Sequence, residues 1–234
     1  MSFTDRILYK FLKIERSYSQ TGEDKILSML FQGFGKSNIR YLDVGTNDPV
    51  AINNTYLFYR NGGSGVCVEP NPEMCRRIIK KRPRDKCINV GIGAEDGAEA
   101  DFYTMSSHTL STFSKEEAEG INAAGVFKIE SVSKVPLKTI NSIIKENFLT
   151  PPDLVSIDVE GWNEEIVYSL DFESPRPFCF CVETLTFSHS FNGRKLTGII
   201  DHFEKNNYSV FADTHINTIF VDNDAYERPP QTTH

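Results

Sequence analysis

The segment Tyr41 to Asn71, YLDVGTNDPVAINNTYLFYRNGGSGVCVEPN, constrains this chain more than any other. An apolar run ends in Asp43 and passes at once into Gly45 and a polar loop. A second apolar run, Gly65–Val68, ends in Glu69, 26 positions after Asp43. This spacing fits a strand, a loop that approaches a ligand, a crossover helix and a second strand ending in an acid. In a parallel sheet, an acid at that strand end grips the two hydroxyls of a ribose. A nucleoside-containing cofactor is the first expectation.

Apolar runs alternate with helical patterns along the rest of the chain, which predicts βαβ units and a parallel sheet. Helices are expected over 4–13, 23–31, 55–60, 72–80, 139–147, 162–170 and 196–206. Core strands are expected over 40–44, 65–69, 86–90, 153–159, 178–184, 209–212 and 218–222. The chain suits one large α/β domain. Residues 1–35 read as a helical extension and residues 91–138 as an inserted, lid-like segment. In that insertion Ser114 and Glu117 are spaced as a capping box.

Right-handed crossovers place the strand-to-helix loops on one edge of such a sheet. That edge gathers Asp43–Asn47, Glu69–Asn71, Gly91–Gly93, Asp158–Gly161 and Glu183–His189. Pro70 and Pro72 force extended backbone on Glu69 and Asn71, holding both on the rim. Gly91 begins a turn of the kind that touches an adenine. Asp158 faces the reactive end of the cofactor, with Glu160 as a second acid or a helix cap. Asp158 and Glu183 also form a pair of oxygen donors suited to magnesium, so a divalent cation is left open. His189 is a candidate general base for a hydroxyl, with His108 and His215 as competitors.

The net charge of −7 argues against a nucleic-acid backbone as substrate. The basic run Cys75–Lys86 reads as the solvated face of a helix. Five cysteines, an odd number without metal-finger spacing, read as free thiols of a cytoplasmic protein. No apolar stretch reaches membrane-span length, and the N-terminus lacks the layout of a signal peptide.

Several motifs together resemble the FkbM family of S-adenosylmethionine-dependent methyltransferases. SQTGED at Ser19–Asp24 resembles its opening signature, and DVGTNDPVAINNTYLFY its first cofactor loop. GVCVEPNP, INVGIG, LSTFS, DLVSIDVEGWNEEIVYSLDF and CVET follow in the family's order, so the resemblance spans Ser19–Thr184. It implies a class I methyltransferase fold, a Rossmann-like three-layer sandwich whose seven-stranded, mostly parallel sheet has one antiparallel strand. It implies S-adenosylmethionine as cofactor and methylation of a hydroxyl on a small molecule, sugar or glycan. By position it assigns Asp43, Gly45, Asn54 and Thr55 to the methionine end and Glu69 to the ribose, with Gln20 as a further binding residue. A homo-oligomer is compatible with the sequence. The rival readings are a nucleotide-dependent oxidoreductase, which the missing G-x-G-x-x-G disfavours, and a cofactor-binding module without activity.

Overall fold

The computed structural model describes residues 16–159, 161–173, 175–186 and 193–227. Its main sheet has seven strands: β1 Arg40–Val44, β2 Ser64–Val68, β3 Lys86–Ile88, β7 Leu154–Ile157, β8 Cys179–Glu183, β9 Tyr208–Asp213 and β10 Asn217–Asp222. They lie in the order β3-β2-β1-β7-β8-β10-β9. The β3-β2-β1-β7-β8 pairings are parallel, whereas β10 is antiparallel to both β8 and β9. Sequence order reverses between β1 and β7, the kind of point where open α/β sheets bind ligands.

Side-chain alternation explains why this sheet is buried on both faces. Leu42, Val44, Val155, Ile157, Phe180, Val182 and Phe220 pack into one apolar cluster, whereas Tyr41, Leu154, Cys179, Cys181, Ile219 and Val221 pack into another. Neighbours in one strand thus serve opposite cores, as the two-residue period requires. The first core is closed by helices α5 Ile140–Asn147, α6 Asn163–Tyr168 and α7 Thr197–Lys205; the second by α1 Glu23–Gly33 and α2 Tyr56–Arg60. Each fully buried Leu, Ile or Phe contributes roughly 1.5–3 kcal/mol.

Helix α3, Pro72–Lys81, joins β2 to β3. Its N-cap is Asn71, whose side chain accepts from the amides of Glu73 (2.9 Å) and Met74 (3.4 Å), and Pro72 fills the first helical position. The end of this helix corrects the reading of the basic run. Arg76, Lys80 and Lys81 are exposed, but Arg82 is fully buried.

The insertion builds a small sheet of β4 Gly91–Ile92, β5 Glu99–Met105 and β6 Ile129–Lys138, in the order β4-β6-β5. Gly91 is therefore not in an open turn. It pairs with Leu137, and a Cβ there would collide with Phe113 and Leu137. A single 3-10 turn, His108–Leu110, precedes α4 Lys115–Ala123. Ser114 caps α4 by accepting from the Glu117 amide (3.3 Å). The reciprocal half of the box differs from expectation: Glu117 accepts from the Thr112 hydroxyl (2.9 Å), and the Ser114 amide donates to that same hydroxyl (2.9 Å). The short α8, Asn223–Tyr226, ends the described chain. No helix among the described residues is long and apolar enough to cross a membrane.

Candidate active site

The loop after β1 is shaped by a glycine and an asparagine. Gly45 has φ +76°, and its amide donates to the carbonyl of Val68 (3.0 Å). A Cβ at this position would overlap the carbonyl oxygen of Asp158, so the first loop and the loop after β7 approach as closely as only glycine permits. Asn47 is left-handed, with φ +49°, a conformation asparagine tolerates. Its amide donates to Glu69 Oε2 (2.8 Å) and its side chain donates to the carbonyl of His108 (3.1 Å).

Glu69 follows β2 directly and is 5% exposed. Oε1 accepts from the Asn71 amide (2.8 Å), so each carboxylate oxygen is held by one backbone N–H. Burial pushes its pKa up to about 7; the two amides draw it down, and the nearby Asp43 carboxylate adds to the rise.

Glu69 lines a cavity of about 450 Å³ over the carboxyl ends of the parallel strands. Gln20, Gly45 and Asp158 share its wall, beside the apolar Val90, Ile92 and Phe113. All five strand-end loops expected on the rim contribute. The 3-10 turn and the residues after it close another side, where the Phe113 ring stacks on Trp162 with centroids 5.0 Å apart. The charged wall residues among those described are Asp48, Glu69, Asp158 and Glu183, all acidic.

Asp158 stands one residue beyond β7, which ends at Ile157. The strand is thus shorter than the expected 153–159, and Asp158 belongs to the loop that follows it. Burial raises the Asp158 pKa to about 6, helped by the charges of Asp43 and Glu23. Glu183 is tied to this loop through Asn163. The Asn163 side chain donates to Glu183 Oε2 (2.9 Å) and accepts from the Val159 amide (3.1 Å).

The other assigned residues lie behind the wall. Asp43 is 4% exposed and accepts from Thr55 Oγ1 (2.6 Å), Asn53 Nδ2 (3.3 Å) and Arg82 (3.3 Å). Arg82 also donates to Asp85 (2.7 Å), to Thr55 Oγ1 (2.8 Å) and to Asn53 Oδ1 (3.3 Å). Thr55 and Asp43 thus belong to a buried ionic network that sets the loop from beneath. Asn54 donates to Ser156 Oγ (3.2 Å), Asn71 caps α3, and Gly91 sits under Phe113. Arg82 was concealed by the basic run around it. Its signal in the sequence is Pro83, which ends α3 and frees Arg82 from the helical face.

Gln20 reaches the wall because two acids hold its flanks. Asp24 accepts from the Ser17 hydroxyl (2.7 Å), the Tyr18 amide (2.7 Å) and the Ser19 hydroxyl (3.0 Å). Glu23 accepts from the Thr21 amide (2.9 Å), the Thr21 hydroxyl, Thr214 Oγ1 (2.7 Å) and Asn217 Nδ2 (3.0 Å). Burial pushes Glu23 up, but these bonds together hold it below the usual carboxylate range. The SQTGED segment is therefore a double clamp with its glutamine between the jaws.

Glu160, His189 and the expected helix over 4–13 lie outside the described residues. Of the competing histidines, His108 is on the wall, with its Nδ1 buried and unpartnered, whereas His215 is exposed. Among the described residues no group of three or more His, Cys, Asp or Glu could hold a metal ion.

A seven-stranded sheet whose last strand is antiparallel, with a cavity over the ends of its parallel strands, defines a class I methyltransferase fold. The methyltransferase FkbM domain profile matches residues 43–210, and the chain belongs to that family of S-adenosylmethionine-dependent methyltransferases. No curated protein matches the chain. Among solved structures, it is similar to a TehB-like SAM-dependent methyltransferase from Corynebacterium glutamicum (10% identity, TM-score 0.46, covering 94% of this chain and 96% of that one). It is similar to the methyltransferase FkbM from Methylobacillus flagellatus (11% identity, TM-score 0.45), covering 79% of this chain and 43% of that one. An O-methyltransferase from Bacillus cereus, solved with SAH, is similar at 13% identity and TM-score 0.46, covering 93% of this chain and 94% of that one.

Proposed function

We propose that this chain is an O-methyltransferase that transfers the methyl group of S-adenosylmethionine to a hydroxyl of a small molecule, sugar or glycan. The observation that carries this reading is Glu69: a strand-end carboxylate on the cavity wall with each oxygen already oriented by a backbone amide. Those amides leave lone pairs on both oxygens for a diol. Val90, Ile92 and Phe113 offer apolar surface to a base, and the acidic wall suits a cation. Gly45 leaves room for close backbone approach. These features fit the cofactor, which supplies an electrophilic methyl group when bound.

The residues of the chain then have three tasks. Glu69, Gly45 and Gln20 hold the cofactor, while Asp43, Thr55 and Asn54 fix the loop that carries Gly45, and Asn71 fixes the Glu69 turn. The 3-10 turn and Phe113 exclude water. Asp158, whose pKa of about 6 leaves it ionised at neutral pH, takes the acceptor hydroxyl's proton on a carboxylate oxygen as the new C–O bond forms. The proposal extends to His189 and Glu160 as alternative proton acceptors.

A thermal-shift comparison tests the cofactor. S-adenosylhomocysteine at 100 times its Kd should stabilise the protein by about 2.7 kcal/mol, and NAD should leave the melting temperature unchanged. The reverse result would favour the oxidoreductase reading. A screen of hydroxylated acceptors, read by S-adenosylhomocysteine release, tests the transfer. Turnover only with amine or thiol acceptors would overturn the O-specificity.

A further inference from the structure

Cys75 and Cys87 lie twelve positions apart in the chain, and their sulfurs are 2.8 Å apart. The crossover that joins β2 to β3 explains the meeting. The inward stripe of α3 is Met74, Cys75 and Ile78, and Cys75 is 6% exposed. Cys87 is the middle residue of β3, the edge strand of the main sheet, and is half-buried. Helix packing therefore presses one thiol against the other.

The remaining cysteines behave differently. Cys67, Cys179 and Cys181 are fully buried within strands, where a thiol serves as a small hydrophobe. The Cys67 thiol lies 3.7 Å from Asp85 Oδ2 and that of Cys179 lies 3.7 Å from the Phe180 carbonyl; only the Cys75 and Cys87 sulfurs are paired with each other in the described hydrogen bonds. The separation is within about 1 Å of a covalent S–S bond. Among the described residues no third His, Cys, Asp or Glu joins them in a group able to hold a metal ion.

We infer that Cys75 and Cys87 are a disulfide-forming pair, oxidised by a low-molecular-weight disulfide such as glutathione disulfide. The half-buried Cys87 reacts first. Its thiol loses a proton, and the thiolate attacks one sulfur of glutathione disulfide. One glutathione leaves as a thiolate, which takes up a proton. The Cys75 thiol then loses its proton and attacks the Cys87 sulfur of the mixed disulfide, releasing the second glutathione. Two protein thiols are oxidised by two electrons, and one glutathione disulfide is reduced to two thiols. Burial, and then the neighbouring Cys75, push the Cys87 thiol up, so the first step speeds up as pH rises.

The cross-link would join two elements that frame the ribose acid. The Cys75 amide donates to the carbonyl of Asn71, the α3 cap (2.9 Å), and the Glu69 amide donates to the carbonyl of Ile88, next to Cys87 (3.1 Å). The Asn89 side chain donates to the carbonyls of Glu69 (2.8 Å) and Pro70 (2.9 Å).

The test equilibrates the native protein in glutathione redox buffers at pH 8, quenches it in acid, denatures it and labels free thiols with a maleimide. The five reactive thiols should fall to three, and non-reducing peptide mapping should recover Cys75 joined to Cys87. The oxidised form should melt on the order of 5–10 °C higher, because the link restricts the unfolded chain. Cys75→Ser and Cys87→Ser should each show no internal disulfide after the same treatment. Five reactive thiols after prolonged exposure to glutathione disulfide, or a bond mapped to a different pair, would overturn the assignment. The thiol readout needs no cofactor, so its outcome is separate from that of the methyl-transfer reading.

Discussion

Glu69 and Gly45 show how much a single position can carry. Glu69 was legible because an apolar run stopped at an acid and prolines stood at positions 70 and 72. Its two amide contacts were not legible, since one comes from Asn47, 22 positions earlier. Glu69→Ala should weaken S-adenosylhomocysteine binding by roughly 10- to 100-fold, the worth of charge-assisted hydrogen bonds to a diol. Isothermal titration calorimetry checks it, and unchanged affinity would remove Glu69 from the ribose. Gly45→Ala introduces a Cβ at φ +76° and against the Asp158 carbonyl. It should cost about 1–3 kcal/mol of stability, read by chemical denaturation, and should also lower cofactor affinity.

Helix α3 and the loop before it divide the labour at the site. The loop before the helix faces the cavity, and the end of the helix turns Arg82 inward beneath the other loop, the one after β1. Arg82→Met would leave Asp43 and Asp85 buried without their cation. The expected loss is about 3–5 kcal/mol, seen as a lower denaturant midpoint. Arg82→Lys should recover only part of it, because one ammonium cannot reproduce donation to Asp43, Asn53, Thr55 and Asp85 together. Periodicity located α3 well, expected over 72–80 and observed over Pro72–Lys81, but it did not read Asn71 as the cap. It misjudged Arg82 because charge density along a run reports local hydration, whereas burial of one member depends on what lies across the sheet. The same limit applies to Gly91. A glycine after a strand reads as a turn, and its pairing with Leu137 comes from residues 46 positions away.

Across the molecule, the acids of the cavity couple stability to pH. Glu69 rises from an ordinary 4.5 to about 7, and Asp158 from 3.8 to about 6. Between those values the folded state binds more protons than the unfolded state, so stability falls as pH rises. The stabilisation is complete below about pH 4 and lost as pH passes through 6 to 7. The ligand-free protein should therefore melt at a lower temperature at pH 8 than at pH 5. The double variant Glu69→Gln, Asp158→Asn should show a shallower dependence in calorimetric melts. An equal slope in both proteins would mean that other groups govern it.

The order of strands and helices, the acids at the strand ends and their shared rim all follow from local pattern, because alternation and turn chemistry act over a few residues. The partners inside the fold do not. The Arg82 network, the clamps around Gln20, the His108 turn beside Asn47 and the meeting of Cys75 with Cys87 arise where the chain returns on itself. Such contacts depend on packing geometry that no short stretch of residues encodes.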